Sequence, residues 1–231
     1  MVVLPRMPLD LASLVALRPV LYHLTSRVNL AAIRAVRPLV LRPAAELLRR
    51  VAGRDSEHRA ARLLTQRRPG PARIDVSGRP VVLRDQEPLH PGHVALEGGM
   101  TFQDLVRLLN ERVYFWPGDG RGPVAAGRRH FARCTIKEPA DCVVLAVPFA
   151  ALLEENPGNP PLLTACNSGA PRSHPITGPQ PRGPSTFAPA ERFEHTACDV
   201  VEVTFARGVC LPSGGVEVVC GLEARTRGWA G

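Results

Sequence analysis

The chain has 231 residues, a formal net charge of +8, and 45% hydrophobic and 22% charged residues. That length can bury a full core, and that composition excludes wholesale disorder, a collagen-like repeat and a disulfide miniprotein. The charge is unevenly placed: residues 1–73 hold 14 Arg against four acids, and the remainder holds 15 basic and 17 acidic residues. Lys137 is the single Lys. A GC-rich genome accounts for the Arg/Lys ratio but not for its location, and a basic end suits a nucleic-acid or acidic partner.

The six cysteines form no C-x-x-C pair and several lie in apolar runs, so they read as mostly buried thiols of a reducing cytoplasm. The apolar N-terminus is broken by Asp10, Arg18 and prolines, which argues against a signal peptide, and no run is long enough to span a membrane.

In chain order, Leu11, Leu14, Val15, Leu17 and Val20 recur at helical spacing. Leu21–Thr25 reads as a strand, and Asn29 as the N-cap of a helix over Leu30–Val36 stopped by Pro38. Pro43 opens a helix over Ala44–Val51, and another follows at Ser56–Arg67. Segments Ala72–Val76 and Val81–Arg84 around Ser77-Gly78 predict a hairpin. Thr101 with Asp104 is a capping pair for a helix through Leu109. Val113–Trp116 is an aromatic strand that Pro117 and Gly118 should end. Cys142–Val147 reads as a buried strand, Phe149–Glu155 as a helix and Leu162–Cys166 as a strand. The loop Ser168–Pro189 carries six prolines and three glycines, which bars helix and central strand. Strands near Asp199–Ala206 and Val216–Cys220 close the chain. The expected fold class is α+β in one domain over 1–231. A mostly helical basic part with the first strand covers 1–73, and a mainly β part covers 74–222, giving a mixed sheet of roughly six short strands.

Four motifs carry candidate chemistry. In Tyr22-His23-Leu24-Thr25, His23 and Thr25 alternate with Leu24 and point the same way, able to bond a ribose or amide; the plainer alternative is a core His bonded to backbone. Glu202 sits in the apolar strand Val200-Val-Glu-Val-Thr-Phe, where a carboxylate either faces solvent or has a task. Glu217 is a weaker case. Arg112-Val-Tyr114-Phe-Trp116 has more aromatics than a half-buried strand needs, so one can stack on a flat ring. In the long loop, Asn167-Ser-Gly and Arg182-Gly-Pro-Ser-Thr186-Phe suit a phosphate or nucleic-acid contact.

Taken together, YHLT…NL…I resembles the opening of DarT-type ADP-ribosyltransferases, and the late strand VVEVTF is similar to the one carrying that family's catalytic Glu. The order His23, Tyr114, Glu202, one per strand, resembles the His-Tyr-Glu arrangement of the diphtheria-toxin-like branch. The VYFWP, NSGAP and RGPSTF set also resembles a bacterial family of unknown function with the same opening. The resemblance covers roughly residues 20–220. It implies an ADP-ribosyltransferase-like split sheet of mixed or antiparallel strands, and NAD as substrate with no metal. It also implies a nucleic-acid or protein acceptor and a toxin or defence role. His23, Tyr114 and Glu202 would be catalytic; Thr25, Asn29 and Trp116 would join His23 and Tyr114 in holding NAD. Asn167, Arg182 and Thr186 would contact the acceptor. The early catalytic Arg of that family has only positional candidates here, Arg34, Arg42 and Arg121, and its second His is Ser26. An RNA 2′-phosphotransferase-like enzyme and a non-catalytic interaction domain are the alternatives.

Overall fold

The structure, a computed structural model, describes residues 8–35, 38–138 and 140–229. The helices are α1 (Leu11–Leu17), α2 (Arg27–Arg34), α3 (Ala44–Leu48), α4 (Arg54–Thr65), α5 (Phe102–Asn110), α6 (Ala125–Lys137), α7 (Phe149–Glu154) and α8 (Gly221–Thr226). The strands of the main sheet are β1 (Val20–Ser26), β6 (Val113–Asp119), β7 (Gly122–Pro123), β8 (Cys142–Pro148), β9 (Leu162–Thr164), β11 (Glu202–Phe205) and β13 (Glu217–Cys220). Three two-stranded pairs stand apart. They are β2 (Val40–Leu41) with β12 (Val209–Cys210), β3 (Ala72–Val76) with β4 (Arg79–Leu83), and β5 (Val94–Leu96) with β10 (Gln180–Arg182). The fold is α+β, and none of its described helices is long and apolar enough to cross a membrane.

The main sheet runs β13-β8-β1-β6-β11-β9, with β7 on β6, and every pairing in it is antiparallel. Layers cover both of its faces, which is why β8 reads as an unbroken apolar run. Leu21, Phe115, Leu145, Val203 and Phe205 fill one face, against Leu14 of α1 and Leu152 of α7. Tyr22, Trp116, Val144 and Ala146 fill the other, against Phe131 of α6 and Ala224 of α8. The hairpin β3–β4 packs with α3 and α4 in a separate cluster through Ile74, Val81, Leu48 and Ala60.

Local chemistry explains where the elements start and stop, and several expectations are corrected. Arg18-Pro19 ends α1 at Leu17, so Val20 belongs to β1. Thr101 and Asp104 make both bonds of a capping box for α5. Ser77 (φ 55°) and Gly78 (φ 77°) are both left-handed, as a two-residue hairpin turn requires. Asn29 is not the N-cap of α2; Ser26 holds that place, and Val36 lies outside the described residues. Pro117 and Gly118 do not end β6. Pro117 pairs with β1 alone at that point, after β11 has left the strand, so its missing N–H is tolerated. Gly118 permits the tight β6–β7 turn, because a Cβ there would lie 2.2 Å from the Gly122 carbonyl oxygen. Strands β2, β5, β7, β10 and β12 are too short to leave a periodic signal. The loop 168–189 is tied down by β10 and by a bridge between Leu163 and Ala188.

Asn29 instead fastens the hairpin to the sheet. Its Nδ2 donates to the Val82 carbonyl (2.9 Å) and to Thr25 Oγ1 (3.1 Å), while its Oδ1 accepts the Val82 N–H (2.8 Å). Asn29→Ala should therefore lower unfolding free energy by about 1–3 kcal/mol in urea titration, since two backbone groups of β4 lose their partner. An unchanged midpoint would show that water replaces the clamp at no cost.

A candidate active site at the fork of the sheet

β6 changes partner half-way along its length. Trp116–Gly118 pair with Val20–Tyr22 of β1, whereas Val113–Phe115 pair with Val203–Phe205 of β11. Beyond Tyr22, β1 keeps only β8, so His23–Ser26 and Val113–Phe115 diverge. The sheet forks there. His23 reaches across the gap, its Nδ1 lying 2.8 Å from the Tyr114 carbonyl oxygen. A carbonyl can only accept, so Nδ1 carries the proton and Nε2 is left as an acceptor. Burial lowers the His23 pKa below its ordinary value, with the Tyr114 carbonyl opposing, so the ring is neutral at neutral pH.

A cavity of about 520 Å³ opens at the fork and is lined by His23, Tyr114 and Glu202, along with Thr25, Trp116 and Asn167. Alternation sets Tyr114, Trp116 and Glu202 on one face of the sheet and His23 on the other, so the cavity passes through the fork.

Glu202 does not face solvent: it is 3% exposed. Its Oε2 accepts the Ser168 backbone N–H at 3.2 Å and lies 3.4 Å from Thr164 Oγ1, whose proton goes to the Cys166 carbonyl. Burial outweighs these donors and pushes the Glu202 carboxyl up to about 7. The Ser168 hydroxyl beside it is fully buried and also favours the ionised carboxylate.

The other candidate residues divide sharply. Tyr114 donates its hydroxyl to the Leu109 carbonyl (3.0 Å), and burial beside Glu202 raises its pKa, so the phenol stays protonated. Trp116 is buried, tilted against His130 at 5.6 Å between ring centres. Thr25 accepts from Asn29, and the Asn29 amide is spent on Val82 and Thr25, so it has little left for a ligand. Arg182 does not line the cavity. It is 4% exposed and holds the loop from behind through the carbonyls of Pro181 (2.7 Å) and Asn167 (3.2 Å). Thr186 also lies off the cavity, its hydroxyl accepting the Gly183 N–H. Arg42 lines the cavity but is paired with Glu46; Arg121 is exposed in the β6–β7 turn and bound to Asp119, and Arg34 is exposed at the end of α2. Ser26 donates to Asp141 at 2.6 Å, and Glu217 is exposed and paired with Arg227.

Two cavity residues went unassigned in the sequence. His130 of α6 is held neutral, its pKa lowered to about 4 by burial and by Arg133 and Arg84. Arg112 immediately precedes β6 and lines the cavity with Tyr114 and Trp116, at the i, i+2, i+4 spacing visible in the sequence. All six cysteines are free, but only Cys134 and Cys142 are buried. Among the described residues, no group of His, Cys, Asp or Glu is placed to hold a metal ion.

A family model described as a family of unknown function, DUF7002, matches residues 19–211, which spans every element that builds the fork. The chain belongs to the DUF7002 family. No curated protein and no solved structure matches it.

The raised carboxyl has a consequence for stability. The folded chain holds the Glu202 proton up to about pH 7, whereas the unfolded chain releases it near 4.5. Folding therefore loses stability as pH rises between those values, by on the order of 3 kcal/mol. Glu202→Gln should remove that loss. The variant should be more stable than the parent at pH 8 and equal to it below pH 4.5, read as denaturation midpoints against pH; parallel curves would contradict the shift.

Proposed function

We propose that this chain is an NAD-dependent ADP-ribosyltransferase, its forked antiparallel sheet being of the ADP-ribosyltransferase-like kind. The observation that carries the reading is the meeting of His23, Tyr114 and Glu202, from three strands, on one cavity at the fork, with Glu202 buried. The residues present fit the substrate. The volume lies in the range of about 300–1,000 Å³ usual for ligand clefts. His23 Nε2 can accept from a ribose hydroxyl, the Tyr114 ring offers a flat apolar face, and the arginine-rich lining suits a pyrophosphate.

In the reaction the bond between the ribose anomeric carbon and the nicotinamide nitrogen breaks, and nicotinamide leaves with the electron pair as a neutral molecule. The anomeric carbon gains positive charge, which ionised Glu202 stabilises at short range in a site with few competing dipoles. An acceptor nucleophile then bonds to that carbon and gives up its proton. A lone pair of the Glu202 carboxylate can also hold a ribose hydroxyl in place. The Ser168 N–H orients Oε2.

A second groove supports a polyanionic acceptor. It has a volume of about 460 Å³, is lined by Arg59, Arg62 and Arg67 of the basic third with no acid among the described residues that line it, and adjoins the cavity through Arg68. The same groove favours the second reading, a nucleic-acid-binding domain without turnover.

Incubation with labelled NAD and candidate DNA, RNA and protein acceptors separates the two. The first reading expects nicotinamide release and label transfer, reduced on the order of 10²–10³-fold in Glu202→Gln. Salt-sensitive nucleic-acid binding without nicotinamide release would favour the second. Because only the carboxylate acts, the wild-type rate should climb about tenfold per pH unit below 7 and level off above it. A flat profile would remove Glu202 from the chemistry.

A further inference from the structure

Seven arginines line the cavity against two carboxylates, Asp85 and Glu202. Acids within the protein answer four of them: Glu46 pairs with Arg42 and Arg50, Glu138 with Arg84, and Asp85 with Arg133. Arg68 gives Nε to the Arg84 carbonyl at 3.0 Å and Nη1 to Asn110 Oδ1 at 2.9 Å. Arg79 is exposed at the start of β4. Arg84 Nε also lacks an acceptor among the described residues, but Arg84 keeps its ion pair; Arg112 has a different standing. Its Nε and Nη1 are closed off from water and have no acceptor among the described residues. Its neighbour Glu111 is paired with Arg49 at 3.0 Å. Its guanidinium lies 4.0 Å over the Phe187 ring, a contact that orients the group without satisfying any donor.

A cation with unmade hydrogen bonds is costly, and the Phe187 ring and the charge of Glu111 offset that cost only in part. Shape alone does not require an arginine there, since an apolar side chain of similar length would stack on Phe187 without the charge. We propose that Arg112 forms a phosphate subsite at the Tyr114 end of the cavity. A guanidinium presents parallel N–H groups that match two phosphate oxygens, and a rotation of the side chain over Phe187 brings them to the cavity. Position agrees. Arg112 immediately precedes β6 and lies two residues before Tyr114, about 7 Å for extended chain, whereas Glu202 lies toward the Trp116 side of Tyr114. A ligand reacting at Glu202 and lying over Tyr114 reaches Arg112 with a group one phosphate linkage away. The phosphate comes from one of two sources: the pyrophosphate of the dinucleotide donor, or a phosphate of a nucleotide acceptor. The subsite stands on the arginine itself, while its use by NAD rests on the reading above.

The test compares wild-type protein with Arg112→Met, which keeps the stacking length and removes the charge. Thermal unfolding is followed without ligand and with inorganic pyrophosphate at millimolar concentration. The expected result is that pyrophosphate raises the wild-type Tm and leaves the variant's unchanged, while the variant alone melts no lower than the wild type. A variant that melts lower without ligand, or a pyrophosphate shift that is equal in both proteins or absent from both, overturns the proposal.

Calorimetry with NAD and with nicotinamide riboside then assigns the source. An affinity loss on the order of tenfold to a hundredfold for NAD alone places the donor pyrophosphate at Arg112. Undiminished NAD binding beside a lost pyrophosphate effect places an acceptor phosphate there. If NAD binds neither protein while pyrophosphate still distinguishes them, the subsite stands and the NAD reading falls.

Discussion

One hydrogen bond spans the place where the sheet comes apart. Past Tyr22, the β1 backbone no longer pairs with β6, and the Tyr114 carbonyl would be left without a strand partner on that side. The His23 ring supplies the missing donor at 2.8 Å. This bond holds the fork at a defined width, fixes the His23 tautomer and leaves Nε2 uncommitted. The cavity, the burial of Glu202 and the approach of the Asn167–Ser168 turn all depend on that opening. A backbone pairing in its place would close the sheet and remove the site.

Electrostatics follows from the same geometry. The fork admits a cavity that is deep enough to strip water from Glu202, while the protein supplies the carboxylate with few donors, chiefly those of Ser168. The carboxyl is therefore destabilised as an anion, although seven arginines line the same space. Most of those arginines are neutralised by Glu46, Glu138 and Asp85 before they can act on it. A positively charged ligand centre is the partner that Glu202 lacks, and a phosphate is the partner that Arg112 lacks. The two deficits have opposite sign and lie at opposite ends of the Tyr114 ring. A dinucleotide carries both charges.

The parts of this arrangement legible in the sequence are those set by local chemistry. The unbroken run of β8, the Ser77-Gly78 turn and the Thr101–Asp104 box each arise from residues close in the chain. So does the shared face of Tyr114 and Trp116. What escaped reading was set by distant partners. Asn29 looks like a helix cap until Val82 is brought against it by the hairpin. Arg182 looks like a ligand contact until the loop folds over it and its guanidinium meets carbonyls. Pro117 looks like a strand end because the sequence does not show that β11 has already departed. The long loop looks free because three-residue pairings such as β5–β10 have no period to detect. The basic third likewise cannot be read as a surface until Glu46 and Glu111 are seen to cancel part of it. What remains is the run of Arg59, Arg62 and Arg67 beside the cavity.

The central claim is that the fork holds the nicotinamide-ribose half of NAD, and a crystal structure of the protein grown with NAD tests it most directly. The account predicts the nicotinamide ring against Tyr114, the ribose within hydrogen-bond distance of Glu202 Oε1 and His23 Nε2, and the His23–Tyr114 bond intact. NAD bound elsewhere, with its ribose out of reach of Glu202, would contradict it.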